Sequence, residues 1–401
     1  MRVFISCIIL FVHSLAFSQN VMTLKTKRIL DGHGGIIEDK NIIITDGVIT
    51  EIGKKEAGVV HDLTNLTIMP GGIETHGHLS WHFDPDNKLH DATEAEESTA
   101  QSALYAAENA YLTLMGGVTT SQNLGSPIDR ELRDAIERGI LPGPRILTSL
   151  GAIGQWTGDP DSIKAAVNKF ADQGADVIKI FASASIRVGG TPTLSQEQLN
   201  VACSEAKKRG LRTVVHAHGP ESARRAVLAG CTTIEHGALL DKVTLELMAE
   251  HGTYYDPNIG LIFDNYFAHK QNYIGINGYT EDGFDQMKQA VPKAIEVFKM
   301  ALKVKNLKIV FGTDAVAGAH GSNFEELITR VIKGGQQPID AIVSAGFGSA
   351  QSLNLSDKIG TIAVGMQADI IALDGNPLVD ITALRNVKFV MKSGKIYKSL
   401  E

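Results

Sequence analysis

His76 and His78, in the stretch "IETHGHL", stand two residues apart at the end of an apolar run. Residues two apart on a strand point to the same side, so both imidazoles can reach one metal ion. Further along, short apolar runs end in Lys179, in His216 and His218, in His236 and in Asp314. Imidazole and carboxylate together suit zinc or a similar first-row ion, and a set with open positions suits catalysis rather than a structural role. Lys179 shares a strand face with Val177 and Phe181, where an inward ammonium beside a divalent cation is strongly disfavoured. Reaction with carbon dioxide would turn it into an anionic carbamate whose two oxygens can bridge two metals; the plainer alternative is a lysine paired with a nearby acid. Asp314, in "IVFGTDA", can bind metal and also take a proton from metal-bound water, whose pKa falls to roughly 7. A helix N-cap is the alternative for this aspartate, but the helix-like "NFEELITRVIKGG" begins later.

The elements that must hold these groups are strands alternating with helices. Strands are expected at "LTIMPGGIETH", "VTTSQNLG", "PRILTSLG", "DVIKIFAS", "RTVVHAH", "TTIEHG", "TYYDPNIG" and "KIVFGTDA". Helical patterns such as "TLSQEQLNVACSEAKKRG" and "PESARRAVLAG" separate most of them, each closed by glycine. This alternation predicts an α/β fold, a parallel (β/α)8 TIM barrel over residues 67–362, whose reactive groups lie at the C-terminal strand ends. An open doubly wound sheet is the alternative, but no G-x-G-x-x-G follows the first strand. Short alternating runs with turns at Asp31-Gly32, Asp46-Gly47 and Ser393-Gly394 flank the barrel. Residues 19–66 and 363–401, at opposite ends of the chain, can therefore complete one another's sheet.

Length and composition narrow the partners. A chain of 401 residues with 43% hydrophobic content can bury a sizeable core. Its 38 Lys+Arg against 45 Asp+Glu leave a formal charge of -7 without a basic cluster, so nucleic acid is not an expected partner. Residues 1–18 combine one basic residue, an apolar run from Val3 to Phe17 and the small residues Ala16 and Ser18. That is the layout of a secretory signal, too short for a stable membrane span, with cleavage expected after Ser18. Cys7 lies too near Met1 for a lipid-anchored cleavage cysteine, so the expectation is an exported protein, periplasmic or secreted, without a stable membrane anchor. The remaining cysteines, Cys203 and Cys231, can pair in an oxidising compartment or stay as buried thiols; sequence does not decide.

Taken in order, "MPGGIETHGHL", "GADVIKIFAS", "VVHAHG", "IEHG", "GTDA" and "GTIAVGMQADIIALDGNPLVDI" resemble the amidohydrolase superfamily. The group most resembled is its prolidase-like and imidazolonepropionase-related dipeptidases, and the resemblance spans nearly the whole chain after the signal. It implies a (β/α)8 barrel with one small composite β-sandwich made from residues 19–66 and 363–401, and further that His76, His78 and Asp314 bind one metal, that His216 and His236 bind a second, and that Lys179, as N6-carboxylysine, bridges the two. It implies two divalent ions, usually zinc, with a hydroxide between them attacking the amide carbonyl and Asp314 relaying the proton as general base and acid. His218 occupies the place of a residue that contacts substrate in that group. The expected substrate is a small-molecule amide, a dipeptide such as Xaa-Pro or an N-acyl amino acid, and the expected assembly a homo-oligomer.

Departures from the group concern substrate recognition. Where relatives carry a histidine-containing run, this chain reads "GQWTGDPD"; Asp256 to Asn258 read "DPN", and Asn123 replaces a frequent aspartate. Arg187 can instead clamp a substrate carboxylate or be a solvated loop charge, and His320 can line the pocket or sit in a surface turn. His82 has no supporting neighbours in sequence and is left out of the metal site, as a residue that shapes the pocket or faces solvent. Two other readings remain open. One is a mononuclear cyclic-amide hydrolase or deaminase, which would use Glu221, three residues after His218; the other is a non-catalytic binding barrel.

Overall fold

Apolar runs such as "RTVVHA" are buried along their whole length, the signature of a strand covered on both faces. The computed structural model describes residues 20–90 and 97–400; the expected signal over residues 1–18 lies outside them. At the centre, Ala152–Ile153, Val177–Phe181, Arg212–Ala217, Thr233–His236, Tyr254–Asp256 and Lys308–Ile309 form a parallel sheet in that order. Gly72–Gly77, Val118–Asn123 and Arg145–Thr148 form a second parallel group. Backbone bonds tie the two groups together. Asp176 N donates to Thr148 O at 2.8 Å, Thr75 N to Phe311 O at 2.9 Å, and Asp314 N to His76 O at 2.7 Å.

Helices separate these strands, and their ends follow from local sequence. Asp159 caps Pro160–Asp172 by accepting from Ser162 N at 2.8 Å. Ser195 and Gln198 form a reciprocal capping box on Gln196–Lys208. Cys203 of that helix is bonded to Cys231, just before Thr233–His236, with Cα atoms 5.3 Å apart. Closing this loop contributes roughly 2–4 kcal/mol by restricting the unfolded chain.

Two features differ from the sequence reading. "LTIMPGGIETH" is two strands, not one: Thr67–Pro70 pairs with Ile370–Leu373 and Arg28–Leu30, and Gly72–Gly77 enters the central sheet. Gly71 is the hinge between them, and a Cβ there would lie 2.2 Å from Thr119 Oγ1. The expected strand "KIVFGTDA" is assigned only over Lys308–Ile309, and the chain then continues through single bonds to its neighbours.

Strands from both ends of the chain share one six-stranded sheet. Its order is Lys395–Lys398, Val387–Lys392, Ile370–Leu373, Thr67–Pro70, Arg28–Leu30, Ile36–Glu38. A four-stranded sheet, Val48–Gly53, Asn41–Thr45, Val21–Lys25, Val59–Asp62, shares with it an apolar cluster that includes Leu24, Ile42, Ile68, Ile370 and Phe389. Asp46-Gly47 and Ser393-Gly394 are both two-residue hairpin turns with positive φ at each position. They back onto one another: Ala368 N donates to Gly47 O at 2.8 Å and Gly394 N to Ala368 O at 3.1 Å.

Candidate metal centre

The C-terminal ends of the central strands converge on a partly open cavity of about 180 Å³. Its wall contains His76, His78, Lys179, His216, His218, His236 and Asp314, together with Arg187. His78 Nδ1–H donates to Leu124 O at 2.7 Å, which fixes the ring so that Nε2 presents a lone pair. That lone pair meets Asp314 Oδ1 at 2.9 Å. Two acceptors so close need a proton or a metal ion between them. His76 Nε2 lies 3.3 Å from the same Asp314 oxygen and 3.0 Å from Lys179 Nζ.

A second convergence stands beside the first. Donor atoms of His216, His218 and His236 lie within 4.8 Å of one another. The rings of His216 and His236 are 4.5 Å apart and those of His218 and His236 4.8 Å, so distance does not separate the two histidines of "HAH". Burial holds His76, His216 and His236 well below the usual imidazole pKa, and His218 down at about 4. Neutral rings with inward lone pairs are the form that metals bind. Burial likewise lowers Lys179, against the opposing pull of Glu235 and Asp314. These donors fit a divalent first-row ion.

Backbone geometry contributes. His236 and Asp314 both adopt left-handed φ, 65° and 55°, conformations that non-glycine residues hold only when their surroundings impose them. The turn at His236 also ends strand alternation, so Glu235 and His236 both approach His76. Glu235 Oε2 comes within 2.7 Å of His76 Nδ1, a close approach without hydrogen-bond geometry. Burial, with Asp256 nearby, keeps the Glu235 carboxyl well above the carboxylate range. Sequence reasoning did not find Glu235, because simple alternation points it away from His236.

Beneath the site, Glu74 accepts from Thr313 N at 2.8 Å, Thr313 Oγ1 at 2.7 Å and Asn323 Nδ2 at 2.8 Å. The "DPN" stretch is part of the same support: Asp256 accepts from Thr75 Oγ1 at 2.7 Å and Gly312 N at 2.9 Å, while Asn258 accepts from His236 N at 3.2 Å. Asn123 accepts from Leu79 N at 2.7 Å and so holds the turn after His78.

The residues considered for substrate are distributed unevenly. Arg187 lies in the cavity wall, its guanidinium 3.7 Å from the centre of the Tyr279 ring. The rest of the wall is largely apolar and aromatic, with Phe181, which shares the strand face of Lys179, and with Trp81, Phe263 and Tyr266, none of which sequence spacing singled out. His320 is not part of this wall and stands behind Trp81, Nε2 3.1 Å from its carbonyl. Glu221, which the mononuclear alternative needs, is largely exposed on the helix Pro220–Leu228 and ion-paired with Arg225. His82 neither lines the cavity nor faces solvent, contrary to the expectation for it: it is 4% exposed. Its neighbours are His90 and Glu97, outside the cavity.

Comparison with known proteins agrees with this geometry. The amidohydrolase family model matches residues 67–397. The ochratoxinase of Aspergillus niger is 25% identical over 425 aligned positions, covering 92% of this chain and 85% of that protein. The crystal structure of a Xaa-Pro dipeptidase with bound methionine in the active site superposes with a TM-score of 0.84 at 30% identity, covering 94% of this chain and all of that one. The crystal structure of another amidohydrolase gives 0.83 at 26%, covering 94% of this chain and 99% of that one. The chain belongs to the amidohydrolase family and is a hydrolase.

Proposed function

We propose that this hydrolase cleaves the amide bond of a dipeptide, Xaa-Pro or similar, or of an N-acyl amino acid, at a binuclear metal site. The observation that carries this reading is two donor groups, His76/His78/Asp314 and His216/His218/His236, in one cavity, with Lys179 Nζ 3.0 Å from His76 Nε2. In this reading His76, His78 and Asp314 would hold one ion and His216 and His236 the other, and Lys179, as N6-carboxylysine, would supply an anionic ligand between the two groups. When bound, the ions, zinc by preference of the donors, polarise the scissile carbonyl and acidify water. Asp314 is the general base and acid: its carboxylate takes the proton of the attacking water and delivers it to the leaving amine. Arg187 binds the carboxylate of the leaving amino acid through its forked donors, His218 contacts the substrate, and the aromatic wall excludes water.

The reading extends to the scaffold. The central strands, from Gly72–Gly77 on, make a closed (β/α)8 barrel that ends at residue 362, and Thr67–Pro70 joins residues 19–66 and 363–401 in one composite β-sandwich. Residues 1–18 are a signal peptide, and the mature enzyme works as a homo-oligomer in an oxidising compartment, periplasmic or extracellular. The Cys203–Cys231 disulfide supports this location.

The test is a panel of Xaa-Pro, other dipeptides and N-acyl amino acids with zinc-loaded protein, together with a metal count. Turnover of at least one member is expected, with two ions located in the cavity by anomalous scattering, and Lys179→Ala should lose cavity metal. One ion in the cavity, or no turnover of any member, would refute it. Arg187→Met is expected to raise KM for carboxylate-bearing substrates about tenfold or more, equivalent to losing a charged hydrogen bond of roughly 1.5–3 kcal/mol, with a smaller change in kcat. Equal KM values for both proteins would remove Arg187 from substrate binding.

A further inference from the structure

His82, His90 and Glu97 form a cluster outside the catalytic cavity that the hydrolytic reading does not use. The stretch "HFDPDNKLH" folds back on itself: Phe83 and Leu89 form an antiparallel bridge, and His90 N donates to His82 O at 3.0 Å. Asp84 Oδ1 fixes the turn by accepting from Asp86 N at 2.9 Å and Lys88 N at 2.8 Å. The register sets the two imidazoles side by side, rings 4.8 Å apart and nearly parallel at 14°. Glu97, just before the helix Thr99–Met115, meets both. Its Oε2 is 2.9 Å from His82 Nε2 and 3.4 Å from His90 Nδ1.

The proton inventory of this cluster is the informative part. His82 Nδ1–H donates to Ser80 O at 2.9 Å, and a carbonyl can only accept, so the hydrogen of the neutral ring is on Nδ1. Nε2 then presents a lone pair to a carboxylate oxygen. Tyr105 stacks on the ring at 4.1 Å, and the other Glu97 oxygen accepts from Ser102 Oγ, so ring and carboxylate are both held in place. The side chains of His82 and Glu97 are only 4% and 7% exposed. A proton on His82 would pair Nε2 with the Glu97 oxygen and leave His90 Nδ1 outside. A cation satisfies both nitrogens and the oxygen at once, and the three donor atoms already lie within 4.8 Å of one another.

We propose that His82 Nε2, His90 Nδ1 and Glu97 Oε2 bind a divalent transition-metal ion of the zinc type, separate from the ions of the catalytic cavity. Two imidazoles and one carboxylate select zinc over calcium or magnesium, which prefer all-oxygen shells. The Nδ1–H bond to a backbone carbonyl is the outer-shell partner such a ligand normally has. The ion fastens the hairpin to the start of the helix Thr99–Met115. Asn109 of the same helix donates to Leu79 O at 2.8 Å and Trp81 O at 3.1 Å, so the hairpin site and the Trp81 wall of the cavity share one support.

The test uses the mature full-length chain, stripped with a chelator and titrated with Zn2+ alone, with bound zinc counted after gel filtration. His90→Ala and Glu97→Gln should each bind about one equivalent fewer than wild type, while His78→Ala, aimed at the cavity, retains the hairpin equivalent. Glu97→Gln keeps the side-chain shape and its bond from Ser102, so folding is preserved. Anomalous scattering at the zinc edge from wild-type crystals should place an ion among the three donors, independently of any variant. Equal zinc content in wild type and both hairpin variants, or no anomalous peak there, would overturn the site and identify an imidazolium–carboxylate pair instead. The cavity count is read separately, so failure here leaves the hydrolytic proposal standing.

Discussion

Asp314→Asn is expected to leave the protein folded and to lower kcat about 10²–10⁴-fold, the range for loss of a positioned general acid–base. The substitution keeps the size of the side chain and changes its chemistry. Asparagine cannot accept a proton at pH 7, and its amide brings donors to a place where His78 Nε2, 2.9 Å from Oδ1, already presents a lone pair. The left-handed φ of 55° at this position is one that asparagine tolerates better than most residues, so the backbone is not the source of the loss. Single-turnover assays at saturating zinc isolate the chemical step from metal affinity. Turnover within a factor of three of wild type would exclude a proton relay through this carboxylate.

Arg330→Met should have the largest effect on stability, about 3–5 kcal/mol. Arg330 is fully buried and donates to Glu326 Oε1 at 2.8 Å, to Val310 O at 2.6 Å and to Gly312 O at 3.3 Å, with Asp256 Oδ1 at 3.5 Å. Glu326 in turn accepts from the backbone of Ile259, Gly260 and Leu261, at 2.9, 2.7 and 3.2 Å. Methionine fills much of the space but leaves two buried carboxyl groups without their cation. Burial pushes Asp256 up to about 6 even with Arg330 opposing it. A stability loss of this size corresponds to a fall in Tm of roughly 4–6 °C in a chain of 401 residues. Scanning calorimetry of the apo forms measures it without a contribution from bound metal. An unchanged Tm would mean that the two acids are satisfied without the guanidinium. Because Gly312 and Asp256 adjoin His76, activity should fall with stability.

Much of the arrangement was legible because strand ends carry their chemistry in short, local patterns. His76 and His78, His216 and His218, His236, Lys179 and Asp314 all appear in the cavity wall as their strands imply. What was not legible depends on positions where the local rule breaks. Ala152–Ile153 is a two-residue strand between glycines, too short to show a period. "LTIMPGGIETH" reads as one apolar run because both of its halves are buried, although Gly71 sends them into different sheets. Glu235 escapes notice because the left-handed turn at His236 cancels the alternation that would have excluded it. His82 looked isolated because its partners, His90 and Glu97, reach it through a hairpin turn and a helix start, neither of which has a metal-motif spacing. Pairing of Cys203 with Cys231 is a fact of distance, which composition does not contain.

The two hairpin turns that back onto one another, Asp46-Gly47 and Ser393-Gly394, have a consequence for how the chain is made. Thr67–Pro70 emerges from the ribosome early, yet one of its two neighbours, Ile370–Leu373, is among the last segments synthesised. Until then one edge of an otherwise buried apolar strand has nothing to bond with, and such an edge pairs readily with other chains. Closing the sheet is therefore a late, long-range step, slow in proportion to the chain that must first be ordered between its halves. Ribosomes stalled before Val387–Lys392 should hold a chain whose amino-terminal strands are still protease-sensitive, and release of the final hairpin should protect both ends together.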